Sequence, residues 1–108
     1  MIETLAARGS VGSYQPEVHR VRGELLLTQS PTAVAEAEAC FRAAIELARA
    51  RQERSLELRA ATSLARLLQR GGKRDEARAP LAAVYAGFTE GFETADLRQA
   101  RALLAELA

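Results

Sequence analysis

Apolar residues in this 108-residue chain recur every three or four positions and never settle into sustained alternation, a pattern that predicts helices and no strand. Ile2 to Arg8 reads as a short helix ended by Gly9 and the loop GSVGS. Pro16 suits the opening turn of the next helix, where its missing N–H costs nothing, and Glu17 beside it is favoured by the positive end of the helix dipole. Val18, Val21 and Leu25 make one stripe along this helix, and His19, Gly23 and Leu26 make a second beside it. The segment TQSPT ends it, because Pro31 disfavours α geometry in the residue before it.

Four further helices follow. One runs from about Thr32 to Gln52, with Glu38–Arg42 and Arg42–Glu46 pairs at four-residue spacing on its wet face. The next, Ser55 to Arg70, carries Leu56, Ala60, Leu64, Leu67 and Leu68, and Gly71 is placed to close it in the left-handed conformation. After the turn GGK a helix from Arg74 to about Thr89 contains Pro80, which removes a backbone hydrogen bond and so predicts a kink or a late helix start. The last helix follows GFET, with Thr94 as N-cap, Asp96 in its first turn, and Leu97, Leu103, Leu104 and Leu107 along it.

Composition sharpens this all-α expectation. Aromatic residues are 5% of the chain and Trp is absent, so the 48% apolar content is mostly Ala and Leu, which favour helices packed through small contacts. Fifteen basic and fourteen acidic residues leave a net charge of +1, which provides no field for nucleic acid or an anionic membrane. Fourteen of the fifteen basic residues are Arg, with Lys73 alone. One cysteine excludes an internal disulfide framework and a cysteine-rich zinc site. The N-terminal stretch lacks the pattern of a secretory signal, and no apolar run approaches the ~20 residues that span a bilayer, so a soluble cytoplasmic protein is expected.

The helices repeat. Ala37, Phe41 and Ala44 recur forty residues later as Ala77, Leu81 and Val84, and each triplet follows a helix bearing a small residue, Gly23 with Leu26 in the first and Ala65 with Leu68 in the second. Small, large, small at this spacing resembles the packing code of the tetratricopeptide (TPR) repeat. The resemblance implies a short superhelix of antiparallel hairpins: residues 1–13 as the remnant of a preceding helix and loop, then one domain over 14–108. That domain comprises hairpins at about 16–53 and 55–89 and a capping helix at about 94–107. The period exceeds the family's ~34 residues, and His19 and Ala61 stand where the family prefers Trp. From Tyr14 onward the strings EVHRVRGELLL, AEACFRAAIELARA, ELRAATSLARL and above all VYAGFTEGFETADLRQARALL resemble the C-terminal TPR tail of large bacterial signalling regulators, which join a class III adenylate cyclase-like or DNA-binding domain to a P-loop ATPase. Only the tail is implied, without cyclase or ATPase activity.

Little in the chain looks reactive. Cys40 has Glu36, Ala37, Ala43, Ala44 and Leu47 as same-face neighbours, surroundings that make a thiol inert and assign it to packing. His19 is the sole histidine and has no Glu-x-x-His partner, which favours an interface role over a ligand or general base. QRGGKR fails as a phosphate loop because Leu67 and Arg74 stand where Gly and Ser or Thr are needed. No catalytic, cofactor or metal site is expected.

Two surfaces remain. In the family the first helix of each hairpin lines a concave groove, which implies exposure of Arg20, Glu24 and Thr28 from one helix and Arg59, Thr62, Arg66, Gln69 and Arg70 from the next, a mildly basic groove open to an acidic or carboxylate-ended peptide. The family's carboxylate clamp relies on Asn, of which this chain has none. An incomplete array also leaves an apolar face uncovered, expected on the first hairpin at Val18, Val21 and Leu25 and suited to self-association. The function expected is a non-catalytic scaffold that contacts a protein, a peptide or a second copy. The alternative is a sensory domain binding a small molecule or nucleotide between helices.

Overall fold

The computed structural model describes residues 15–108, all helix and connection, with no strand among them. The short helix expected over Ile2 to Arg8 lies outside these residues. The helices are α1 (Gln15–Gln29), α2 (Val34–Ala50), α3 (Arg54–Arg70), α4 (Arg74–Ala86) and α5 (Ala95–Leu107).

Helices α2, α3 and α4 begin at Val34, Arg54 and Arg74, twenty residues apart, because each 17-residue helix is followed by a three-residue turn of one design. After α2, Gln52 N donates to Arg49 O and Glu53 N to Ala48 O. After α3, Gly72 N donates to Gln69 O and Lys73 N to Leu68 O. These bonds take up the last helical carbonyls and turn the chain back on itself. The design needs a positive φ at its second residue, found at Gln52 (59°) and Gly72 (76°). Gly71, expected to hold that conformation, has φ −85°: the helix keeps its last turn through Gly71, and the reversal falls one residue later.

None of α2, α3 or α4 has a capping side chain, but each carries an acid in its first turn: Glu36, Glu57, and Asp75 with Glu76. The longer connection before α5 leaves room for a cap, and Thr94 Oγ1 accepts from Leu97 N at 3.4 Å. Pro80 neither delays nor interrupts α4, which runs unbroken from Arg74 to Ala86 and stops three residues short of the expected end. The bond lost is to the carbonyl of exposed Glu76, which water can reach.

Packing sorts the helices into two rows. Successive helices pack as antiparallel hairpins. In addition α1 touches α3 and α3 touches α5, whereas α2 and α4 meet at most marginally. The row α1–α3–α5 therefore lies on the row α2–α4, in a slab 42 × 35 × 19 Å whose thickness fits two helices of about 10 Å each. Helix α3 is the hub, buried at Leu58, at Leu67 and Leu68, and at every position from Ala60 to Ala65. The triplets Ala37, Phe41, Ala44 and Ala77, Leu81, Val84 all lie in the core with Ala65.

Candidate interaction surfaces

The expected groove corresponds to the face of the row α1–α3–α5. Cross-helix bonds bring its residues together. Arg59, midway along the row, donates from Nη1 to Glu17 Oε2 on α1 (3.1 Å) and from Nε to Asp96 Oδ2 on α5 (2.9 Å), so one guanidinium ties three helices. Glu17 also accepts from Arg20 Nε at 2.7 Å. Further along, Ser63 Oγ donates to Glu24 Oε2 (2.8 Å), Arg66 Nη2 to Gln99 Oε1 (3.3 Å) and Gln69 Nε2 to Glu106 Oε1 (3.1 Å).

This arrangement changes the reading of the groove. Arg20, Glu24, Arg59, Arg66 and Gln69 do share one face, but Arg20 is matched by Glu17 on its own helix, Arg59 by Glu17 and Asp96 of the neighbouring helices, and Arg66 by the Gln99 amide. Thr62 is not on it: only 6% exposed, it donates from Oγ1 to the Leu58 carbonyl at 2.8 Å, because α3 is covered on nearly every side. Thr28 is exposed and bonds back to the Glu24 carbonyl at 3.0 Å. Arg70 lies apart, at the rim of a cleft of about 260 Å³ that also involves Leu27, Pro31, Val34, Leu67 and Gly71. Asp96, Gln99 and Glu106 were not singled out as partners, since nothing along the chain shows that α5 would lie beside α3.

The pairing perturbs three groups. The Arg20 hydrogen bond holds the Glu17 carboxyl below its ordinary value against the opposing effect of partial burial, and Arg20's charge and Arg59 add to the lowering. Arg20 is raised in turn, chiefly by its bond to Glu17, and Arg59 chiefly by its bond to Asp96. In all three the ionised form is stabilised, as hydrogen-bonded ion pairing does.

A second surface is apolar. Helix α1 buries Gly23 against α2, where a Cβ would meet the Phe41 ring, yet it also presents Val18, Val21 and Leu25 outward at 51%, 42% and 54% exposure. Val34, at the start of α2, is exposed as well. Helix α5 differs: Leu97, Leu103 and Leu107 are buried, Leu104 is half-buried and Arg98 and Arg101 are exposed, with Phe92 exposed in the connection before it.

Comparison with protein-family models, with the curated proteins and with the solved structures gives no match. Among the described residues no helix is long and apolar enough to cross a membrane, and no group of three His, Cys, Asp or Glu side chains lies together. Cys40 is half-buried on α2, and His19 is half-buried on α1.

Proposed function

We propose that the chain is a non-catalytic helical-repeat scaffold of the TPR kind that makes protein contacts through the outer face of α1. The observation that carries this reading is that α1 is apolar on two faces, one against α2 and one outward. An edge helix with nothing more to pack against needs only the first. Scattered surface leucines are ordinary, but a contiguous stripe on one helix is a contact surface.

The repeat supports the TPR part of the reading. The starts of α2, α3 and α4 recur every twenty residues, and the small residues Gly23, Ala37, Ala44, Ala65 and Ala77 are buried beside Phe41 and Leu81. The reading extends to the tail of a cytoplasmic signalling regulator, the setting implied by the string from Val84 to Leu104. The row face is a poorer candidate for peptide capture, because an acidic ligand would have to displace Glu17 and Asp96 from Arg59.

Sedimentation of the chain over increasing concentration, with Leu25→Glu as control, tests the reading. Association that the substitution removes supports it. A monomer at every concentration, unaffected by the substitution, contradicts contact through this face.

A further inference from the structure

The turn of the first hairpin builds an apolar cleft that the repeat does not require. Leu27 near the end of α1, Pro31 in the turn and Val34 at the start of α2 line it together with Leu67, Arg70 and Gly71 from the end of α3, around a space of about 260 Å³. The second hairpin is an internal control. Counted from its small residue, Gln69 is the counterpart of Leu27, and Arg74, the first residue of α4, is the counterpart of Val34. With Gly72 and Asp75 they line a cleft of about 500 Å³ at the second turn, where every lining side chain is polar. A hairpin of this design therefore folds with polar residues at these places, and turn formation alone does not call for Leu27, Pro31 and Val34.

Charge gives the cleft a sign. Residues 25–35 carry no charged side chain, and residues 58–74 carry five basic ones and no acid. Arg59 and Arg66 are engaged by α5. Arg70, exposed at the rim, makes no hydrogen bond or ion pair among the described residues. A guanidinium left open beside an apolar cleft suits a ligand that joins an apolar group to a nearby carboxylate.

Spacing narrows the class. Leu67 and Arg70 stand three residues apart on one helix, which separates their Cβ atoms by about 5–6 Å. An extended chain sets every second side chain on one face at about 6–7 Å, a close match. A helix, about 10–12 Å across, is too wide for the cleft to hold.

We propose that this cleft receives an extended segment of a partner protein, with a leucine-sized side chain among Leu27, Pro31, Val34 and Leu67 and an Asp or Glu two residues along it on Arg70. The site goes beyond the contact through the outer face of α1 and does not depend on it.

NMR titration of the isotope-labelled chain with the peptide acetyl-Gly-Leu-Ser-Glu-Gly-amide tests the site. Saturable shifts at Leu27, Val34 and Gly71 are expected at millimolar peptide. Arg70→Gln, or Gln in place of Glu in the peptide, should weaken binding about five- to tenfold, and Ala in place of Leu in the peptide about tenfold. Arg70 is exposed, so its substitution should leave the melting midpoint unchanged. Val34→Glu is a second variant that the fold accepts, because an acid in the first turn of a helix suits its dipole. It gives Arg70 a carboxylate from within the chain and should abolish binding. No saturable shift at millimolar peptide, or binding that survives both substitutions, overturns the proposal. Shifts confined to Arg59 and Arg66 also overturn it, since they place the acidic segment on the row face.

Discussion

A methyl group on Gly23 would lie 2.6 Å from Cε1 of Phe41, closer than any real Cβ contact, and the ring it meets is fully buried. This close approach fixes the distance between α1 and α2. Two effects oppose each other in Gly23→Ala. Helix propensity gains up to about 1 kcal/mol, and overpacking a closed core costs about 1–3. The ring has no solvent to move into, so the cost prevails and a net loss of about 1–2 kcal/mol is expected by urea denaturation. Phe41→Leu in the same background imitates the Ala65 and Leu81 of the second hairpin and should recover part of the loss. A double-mutant cycle with no coupling would mean that the two residues do not set the spacing.

The paired turns make a second prediction. Gln52 and Gly72 occupy the same left-handed position, and a Cβ at Gly72 meets nothing within 4 Å, so only backbone conformation separates them. Gln52→Gly should stabilise by a few tenths to about 1 kcal/mol, and Gly72→Ala should destabilise by about 1. Denaturant midpoints moving in the same direction for both would contradict the shared turn design.

Pro80 interrupts the hydrogen bonding of a helix that nonetheless continues through it. Pro80→Ala restores the N–H for the Glu76 carbonyl and should raise stability by about 1–3 kcal/mol, less whatever the unfolded chain gains in freedom. A lower midpoint would show that the ring packs more than it disrupts.

Acid should loosen the row α1–α3–α5. Glu17 in the folded chain titrates below its ordinary value of 4.5, so its contribution is fully present above that value and is lost as pH falls through the lowered one. Glu17→Gln should flatten this part of the stability profile below the ordinary carboxylate range while leaving the rest unchanged. Arg59→Met removes the shared partner, and because Arg59 is solvent-accessible the loss should be about 1 kcal/mol or less and should shrink in high salt. An NMR titration placing Glu17 at or above its ordinary value would contradict the bridge.

The helices, their order and the buried triplets were legible in the sequence because all are local: three-to-four spacing, glycines and prolines at the breaks, and a forty-residue recurrence. Gly23 and Phe41 were legible as small and large partners for the same reason. The fate of the groove was not. Thr62 sits on the polar side of α3 by periodicity, yet α3 has helices on nearly every side and buries it. Arg59 reads as a free cation until α1 and α5 are placed beside it, and its two partners lie 42 and 37 residues away. Long-range neighbours decide both outcomes, and one helix's pattern does not contain them. Val18, Val21 and Leu25 are exposed as the reading of an incomplete array expects, and their grouping into one stripe was legible because three-to-four spacing is local.

The central claim, that α1 carries the contact surface, is tested most directly by sedimentation velocity on the full chain from micromolar concentration upward, alone and with Leu25→Glu. Reversible association of the natural sequence, abolished by the substitution while the helical circular dichroism and melting midpoint stay the same, is the predicted result. A single monomeric species at every concentration, identical for both proteins, would contradict it.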